Sequence, residues 1–253
     1  MGNLQKYKAI VEYDGTDFLG FQVQARGRTV QGELERAVQE LAGQSTPVLG
    51  AGRTDSGVHA RGQVIAFSLQ WPHPPEALLR AVNARLPRDV ALQKVEPVAD
   101  GFHPRYDAVR RHYRYRILNR AVQSPLERRY ALHVRQPLNV QAMDRAATHL
   151  LGEHDLAAFG RPPQGENTVR NVFRAGCRRE RDIVTFGIEA NAFLFRMVRR
   201  IVGSLLLVGQ GSVSVEGFAD LMRAPDDRSA SSPTAPAHGL VLVAVHYEDP
   251  NLA

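Results

Sequence analysis

Cysteine is almost missing from this chain of 253 residues, which holds only Cys177. One thiol excludes an internal disulfide and any cysteine-rich zinc site. No uninterrupted apolar run reaches the roughly 18 residues that a membrane-spanning helix needs. The opening MGNLQKYK lacks the apolar core of a signal peptide, so membrane insertion and secretion are not expected and the cytoplasm is. The nine histidines show no paired ligand spacing, and no H-E-x-x-H, C-x-x-C or D-x-D cluster occurs. A P-loop and a G-x-G-x-x-G run are also missing, so neither a metal nor a nucleotide cofactor is expected. Lysine is scarce as well. Of 32 lysines and arginines only Lys6, Lys8 and Lys94 are lysine, which leaves 29 arginines.

The net charge of +6 and isoelectric point near 9.8 favour a polyanionic partner. Guanidinium forks fit phosphates bidentately and stack on bases, which suits RNA. A GC-rich coding sequence would give the same arginine excess, so the positive balance carries this inference and the ratio does not. With 43% hydrophobic residues the chain can bury one large core or two small ones.

Residues 6–13 alternate, with Tyr7, Ala9, Val11 and Tyr13 on one face, and read as a strand. A helix is expected over 30–43, with Leu34, Val38 and Leu41 in its stripe. Strands are expected over 47–49 and 64–69, a helix over 75–86 and a strand over 90–98. The order is β-α-β-β-α-β, the split βαβ arrangement. The second half repeats it: a strand over 112–118, a helix over 140–151, a hairpin of 170–177 and 182–189 with its tip at 178–182, a long apolar helix over 193–208, and a last strand over 240–247. No residue-by-residue identity links the halves. The expected boundary lies near 100–110, giving halves 1–105 and 106–253, with surface loops over 160–167 and 223–239. The fold class is α+β, two split-βαβ halves of ferredoxin or RRM-like order sharing a mostly antiparallel sheet. Such a fold leaves function open.

Chemistry concentrates in Gly52-Arg53-Thr54-Asp55-Ser56-Gly57-Val58-His59-Ala60. A sharp turn beside a strand can hold one acid rigidly against a ligand. Gly50, Gly52 and Gly57 permit close backbone approach, and Arg53 can keep Asp55 ionised. A carboxylate of this kind can serve as a nucleophile at a sugar carbon or an electron-poor ring. Spacing alone fits equally an Asx turn in which Asp55 caps backbone amides. Tyr113 and Tyr115 lie two apart among arginines in Arg110-Arg111-His112-Tyr113-Arg114-Tyr115-Arg116. That pattern suits base stacking with phosphate contact, or two core tyrosines. In the helix expected over 191–209, Arg196, Arg199, Arg200 and Gly203 form one stripe beside a broad apolar side. The stripe is either a functional basic face or a solvated edge with snorkelling side chains.

Several of these stretches together resemble the tRNA pseudouridine synthase A family. The loop matches its G-R-T-D-x-G-V-H-A motif, and Asn191 to Gly203 matches N-A-F-x-x-x-M-V-R-x-I-V-G. Tyr13-Asp14-Gly15-Thr16-Asp17-Phe18-x-Gly20-Phe21-Gln22 resembles the first motif, with Phe21 where many members carry Trp. Phe102-His103-Pro104-Arg105 resembles F-H-A-R with Pro104 in place of the small residue. The strand from Gly239 to Val245 resembles the third motif. The resemblance implies the pseudouridine synthase fold and isomerisation of uridine to pseudouridine at positions 38–40 of the tRNA anticodon stem-loop, without a cofactor. It implies Asp55 as nucleophile, Arg53 holding the extruded base open, Tyr113 against the uracil, and Arg199 pairing with the acid. Arg114, Arg196, Arg200 and His59 are then candidates for substrate contact, with Arg196 and Arg200 serving RNA or subunit contacts. A homodimer with one tRNA touching both subunits is implied as well. An RNA-binding module without catalysis and a small-molecule hydrolase are the rival classes. The first lacks an RNP-type aromatic signature, and the second leaves the positive charge without a purpose.

Overall fold

The alternation over residues 6–13 forms a strand because one side has a core to cover. In a computed structural model describing residues 4–162, 165–223 and 233–248, β1 (Leu4–Tyr13) buries Tyr7, Ala9, Val11 and Tyr13. Helix α1 (Val30–Ala42) starts where the Thr29 hydroxyl accepts the Gly32 N–H at 3.2 Å. It stops at Gly43, whose φ of 68° is the left-handed conformation that closes a helix. Leu34, Ala37 and Val38 lie on its buried side. The short β2 (Leu49–Gly50) and long β3 (His59–Gln70) flank the motif loop. Helix α2 (Pro75–Asn83) follows, then β4 (Val90–Pro97). It ends before the expected residue 86 because Pro87 disfavours helical backbone just ahead of it.

These elements make up most of one compact unit, Met1–Val109 with Leu242–Ala253. Strand β1 runs antiparallel to both neighbours, pairing Tyr7 with Phe67 of β3 and with Pro97 of β4. Strand β2 pairs Leu49 with Ala66 of β3.

The other unit is Arg110–Val241. It contains most of β5 (Ala108–Asn119), then β6 (Leu132–Val134), α3 (Val140–Thr148), β7 (Gly152–Asp155), β8 (Val169–Glu180), β9 (Ile183–Ala190), α4 (Met197–Gly209) and α5 (Val215–Arg223). The antiparallel order is β5-β9-β8-β7, and β6 lies parallel to β5. The β8–β9 hairpin is tighter than expected, turning at Arg181 with φ 53° and Asp182. The sequence expectation did not include β6, β7 or α5. The Gly-Glu-His-Asp of β7 has no apolar alternation, whereas α5 buries Phe218, Ala219 and Met222 at helical spacing.

The helix expected from 191 or 193 begins only at Met197. Arg196 sits at φ 60°, and Phe195 donates its N–H to Arg161 O at 2.9 Å, so 191–196 is non-helical chain bridged to a distant residue. The last strand, β10 (Leu240–Tyr247), joins the first unit from Leu242 onward and pairs with β3. Of the loop expected over 223–239, residues 224–232 lie outside the described residues. Within the rest, Ala235 and Gly239 are buried, whereas Pro233, Thr234 and Pro236 are exposed as a surface loop would be. No described helix is long and apolar enough to cross a membrane.

Candidate active site

In the first unit the Asp55 loop is clamped by the stretch that follows β1. The Tyr13 and Thr54 hydroxyls share a 2.7 Å hydrogen bond in the core. Phe21 donates its N–H to Thr54 O at 3.1 Å, and the Ser56 hydroxyl donates to Phe18 O at 3.0 Å. Asp55 O accepts the Val58 N–H at 3.1 Å, with Gly57 at φ 76° closing the turn. The side chain of Gln63 donates to Gly52 O at 2.8 Å. Asp55 is thus held half-buried by its neighbours on both sides, while Arg53 is exposed.

Two glycines explain why the loop and the first motif fit. A Cβ on Gly15 would lie 2.0 Å from Val58 O, and one on Gly50 would lie 2.4 Å from the Phe21 ring. Gly52, by contrast, has open space around it, so the expected close approach is seen at Gly50, while Gly57 serves through its φ of 76°. Arg53 forms no ion pair or hydrogen bond among the described residues.

His59 is 6% exposed, and its Nδ1 accepts the Gly15 N–H at 3.0 Å. That nitrogen also lies 3.1 Å from Asp14 Oδ1. Asp14 Oδ1 also accepts from the Thr16 N–H and hydroxyl, at 3.0 and 2.6 Å, which makes Asp14 a turn residue.

In the second unit β5 presents Tyr113 and Tyr115 on one face, in register with Ile188 and Phe186 of β9. Tyr115 is fully buried, donates its hydroxyl to Pro236 O at 2.8 Å, and leaves no room for a side chain at Gly239. Burial drives its hydroxyl pKa above the ordinary range, against the opposing pull of the Arg199 charge. Tyr115 is packing, whereas Tyr113 reaches 9% exposure with its ring edge-on to Phe193 at 4.9 Å. Arg114 is half-buried opposite Gly187.

Residues 233–236 strap Arg199 in place. Its Nε donates to Ala235 O at 2.8 Å, and its own carbonyl accepts the Ala235 N–H at 3.0 Å. Gly203, one turn on, is crossed so closely that a Cβ would lie 1.6 Å from Pro233 O. The expected four-residue stripe therefore does not form one face: Gly203 is under the strap, and Arg196 precedes the helix with its guanidinium over the exposed Phe195 ring at 4.9 Å. Arg200 Nε is buried without a hydrogen-bond partner. Sequence reasoning missed Thr54, Tyr13 and Ala235 as supports, and it read Ala235 as part of a surface loop. Among the described residues no group of three or more His, Cys, Asp or Glu could hold a metal ion.

The residues flanking these sites match a family model described as tRNA pseudouridine synthase, over 9–107 and 146–248. Curated relatives agree along nearly the whole chain. A tRNA pseudouridine synthase A of Roseiflexus castenholzii is 46% identical over 248 residues, 96% of this chain and 91% of the relative. One of Halalkalibacterium halodurans is 44% identical, covering 91% and 88%, and one of Xylella fastidiosa is 42% identical, covering 97% and 96%. Among solved structures, a chain of a Cbf5-Nop10-Gar1 complex aligns with 79% of this chain and 45% of its own length. Its identity is 14% and its TM-score 0.34, and it adds nothing to the assignment. The class is therefore an RNA-modifying isomerase. Within that class the chain belongs to the tRNA pseudouridine synthase A family, whose reaction converts uridine to pseudouridine in tRNA.

Proposed function

We propose that the enzyme modifies uridines 38–40 of the tRNA anticodon stem-loop, with Asp55 as covalent nucleophile and no cofactor. The observation carrying this reading is the doubly clamped, half-buried Asp55 loop. A nucleophile held this way needs little reorganisation before attack. The C1′–N1 bond of uridine breaks, the uracil turns, and C1′ bonds to C5; the C5 proton is lost and N1 gains one. Nothing is oxidised or reduced. Asp55 bonds transiently to C1′ or to the uracil ring and departs with its electron pair at the end. Arg53, exposed beside it, keeps the extruded base out of its stem, an event costing roughly a few kcal/mol. Tyr113 stacks on the uracil and assists loss of the C5 proton, and Arg199 keeps Asp55 anionic. Arg114, Arg196 and Arg200 contact RNA or a second subunit, and His59 acts by fixing the Gly15 turn. The working form is a cytoplasmic homodimer with one tRNA reaching both subunits.

Incubation with an unmodified tRNA transcript, followed by chemical mapping of pseudouridine, tests the reading. New pseudouridine at 38–40 supports it; modification only elsewhere in the tRNA refutes the site.

A further inference from the structure

We propose that the turn over residues 103–106 is an RNA-contact platform on which Tyr106 stacks an unpaired nucleobase while Arg105 meets its phosphate. The proposal rests on tRNA being the substrate. Tyr106 is 72% exposed, among the most exposed large side chains described. Its ring is nevertheless held. The His103 imidazole lies 4.2 Å away at 34°, and the Arg105 guanidinium is 5.7 Å from the ring centre.

The segment beneath the ring is fastened at several points. His103 Nδ1 accepts the N–H groups of Arg105 and Tyr106, at 3.1 and 3.3 Å. Asp107 Oδ2 accepts the His103 N–H at 2.9 Å, and Asp107 returns its own N–H to His103 O at 3.1 Å. Tyr247 of β10 donates its hydroxyl to Pro104 O at 2.7 Å, and its ring lies 5.2 Å from Phe102. Lys8 of β1 sits over both Phe102 and Tyr247, at 5.6 and 5.4 Å.

A core function would bury the tyrosine ring, and an idle surface residue would not need so many anchors. What the turn produces is a π-face whose ordering entropy is already spent, next to a cation. That combination fits a nucleobase and its phosphate, since every base offers a π-face and stacking tolerates any sequence. The His103 ring backs one side of Tyr106 and sets its tilt.

The test compares Tyr106→Ala with Tyr106→Phe in tRNA affinity and in steady-state turnover. Tyr106→Ala is expected to weaken tRNA binding about tenfold or more and to raise KM with kcat unchanged, because stacking is lost. Tyr106→Phe keeps the ring and is expected to bind as the wild type does. Tyr106→Trp supplies a direct signal: saturating tRNA should quench the introduced indole beyond any change seen in the wild type. Wild-type affinity in Tyr106→Ala, an equal loss in Tyr106→Phe, or an unquenched indole each overturns the proposal. So does a change in oligomeric state with tRNA affinity intact, which would make the ring a protein contact. Failure of the substrate reading itself is recognised separately, because the wild type would then bind no tRNA.

Discussion

Asp55, the proposed nucleophile, and Cys177, a buried thiol, can each be tested by a single chemical measurement. Asp55 is half-buried in a clamped loop. Asp55→Asn should lower turnover by about 10⁴-fold or more while leaving tRNA binding intact, since the covalent step has no substitute. Single-turnover pseudouridine formation within tenfold of wild type would remove it from the role. Cys177 is 8% exposed, and burial, aided by the nearby Asp144 charge, pushes its thiol up to about 12. Thiolate is the reactive form, so native protein at pH 8 should resist thiol reagents and react fully once unfolded. Fast labelling of the folded protein would contradict this burial. At this scale the motifs made Asp55, Tyr113 and Arg199 legible only as candidates. Thr54, Tyr13 and Ala235 were not, because their roles depend on hydrogen bonds to residues far away in the chain.

For whole elements, legibility followed packing. Helices α1 and α2 were readable because each buries one side, as was β1 from its alternation. The start of α4 misled for a physical reason. Apolar residues 193–195 fit helical spacing, yet Phe195 bonds to Arg161 and Arg196 turns left-handed, and no local pattern reveals that partner. The strap over α4 makes its own prediction. Gly203→Ala drives a methyl group into Pro233 O, so it should cost about 1–3 kcal/mol or more and loosen Arg199. Gly101→Ala meets nothing within 4 Å and is the stability control. Equal melting temperatures for both variants would mean the strap does not press on the helix as described.

Charge matters most to the molecule as a whole. The balance of +6 predicts that tRNA affinity falls by about 10³-fold or more between roughly 50 and 200 mM salt if about six phosphates are contacted. A flat response in filter binding would refute phosphate tracking. Acid should weaken the fold. Hydrogen bonds from Lys8 and then Lys94 hold Glu96 below the ordinary carboxylate value of 4.5. A lowered folded pKa stabilises above that value, and the benefit is lost as pH falls through the folded one. Melting curves of wild type and Glu96→Gln should therefore differ at neutral pH and converge in acid. A gap that persists unchanged into acid would show that the difference is not electrostatic.

Strand β10 also sets a schedule for synthesis. Gly62 of β3 is kept bare for a backbone made long after it, since a Cβ there would lie 2.4 Å from Val243 O. A ribosome that has finished residues 1–109 has made the Asp55 loop but left part of one flank of its sheet without a neighbour. Unsatisfied strand edges are sticky, so the nascent chain is vulnerable to mispairing until β10 has been made. The unit bearing the acid completes its sheet only after the other unit has been translated.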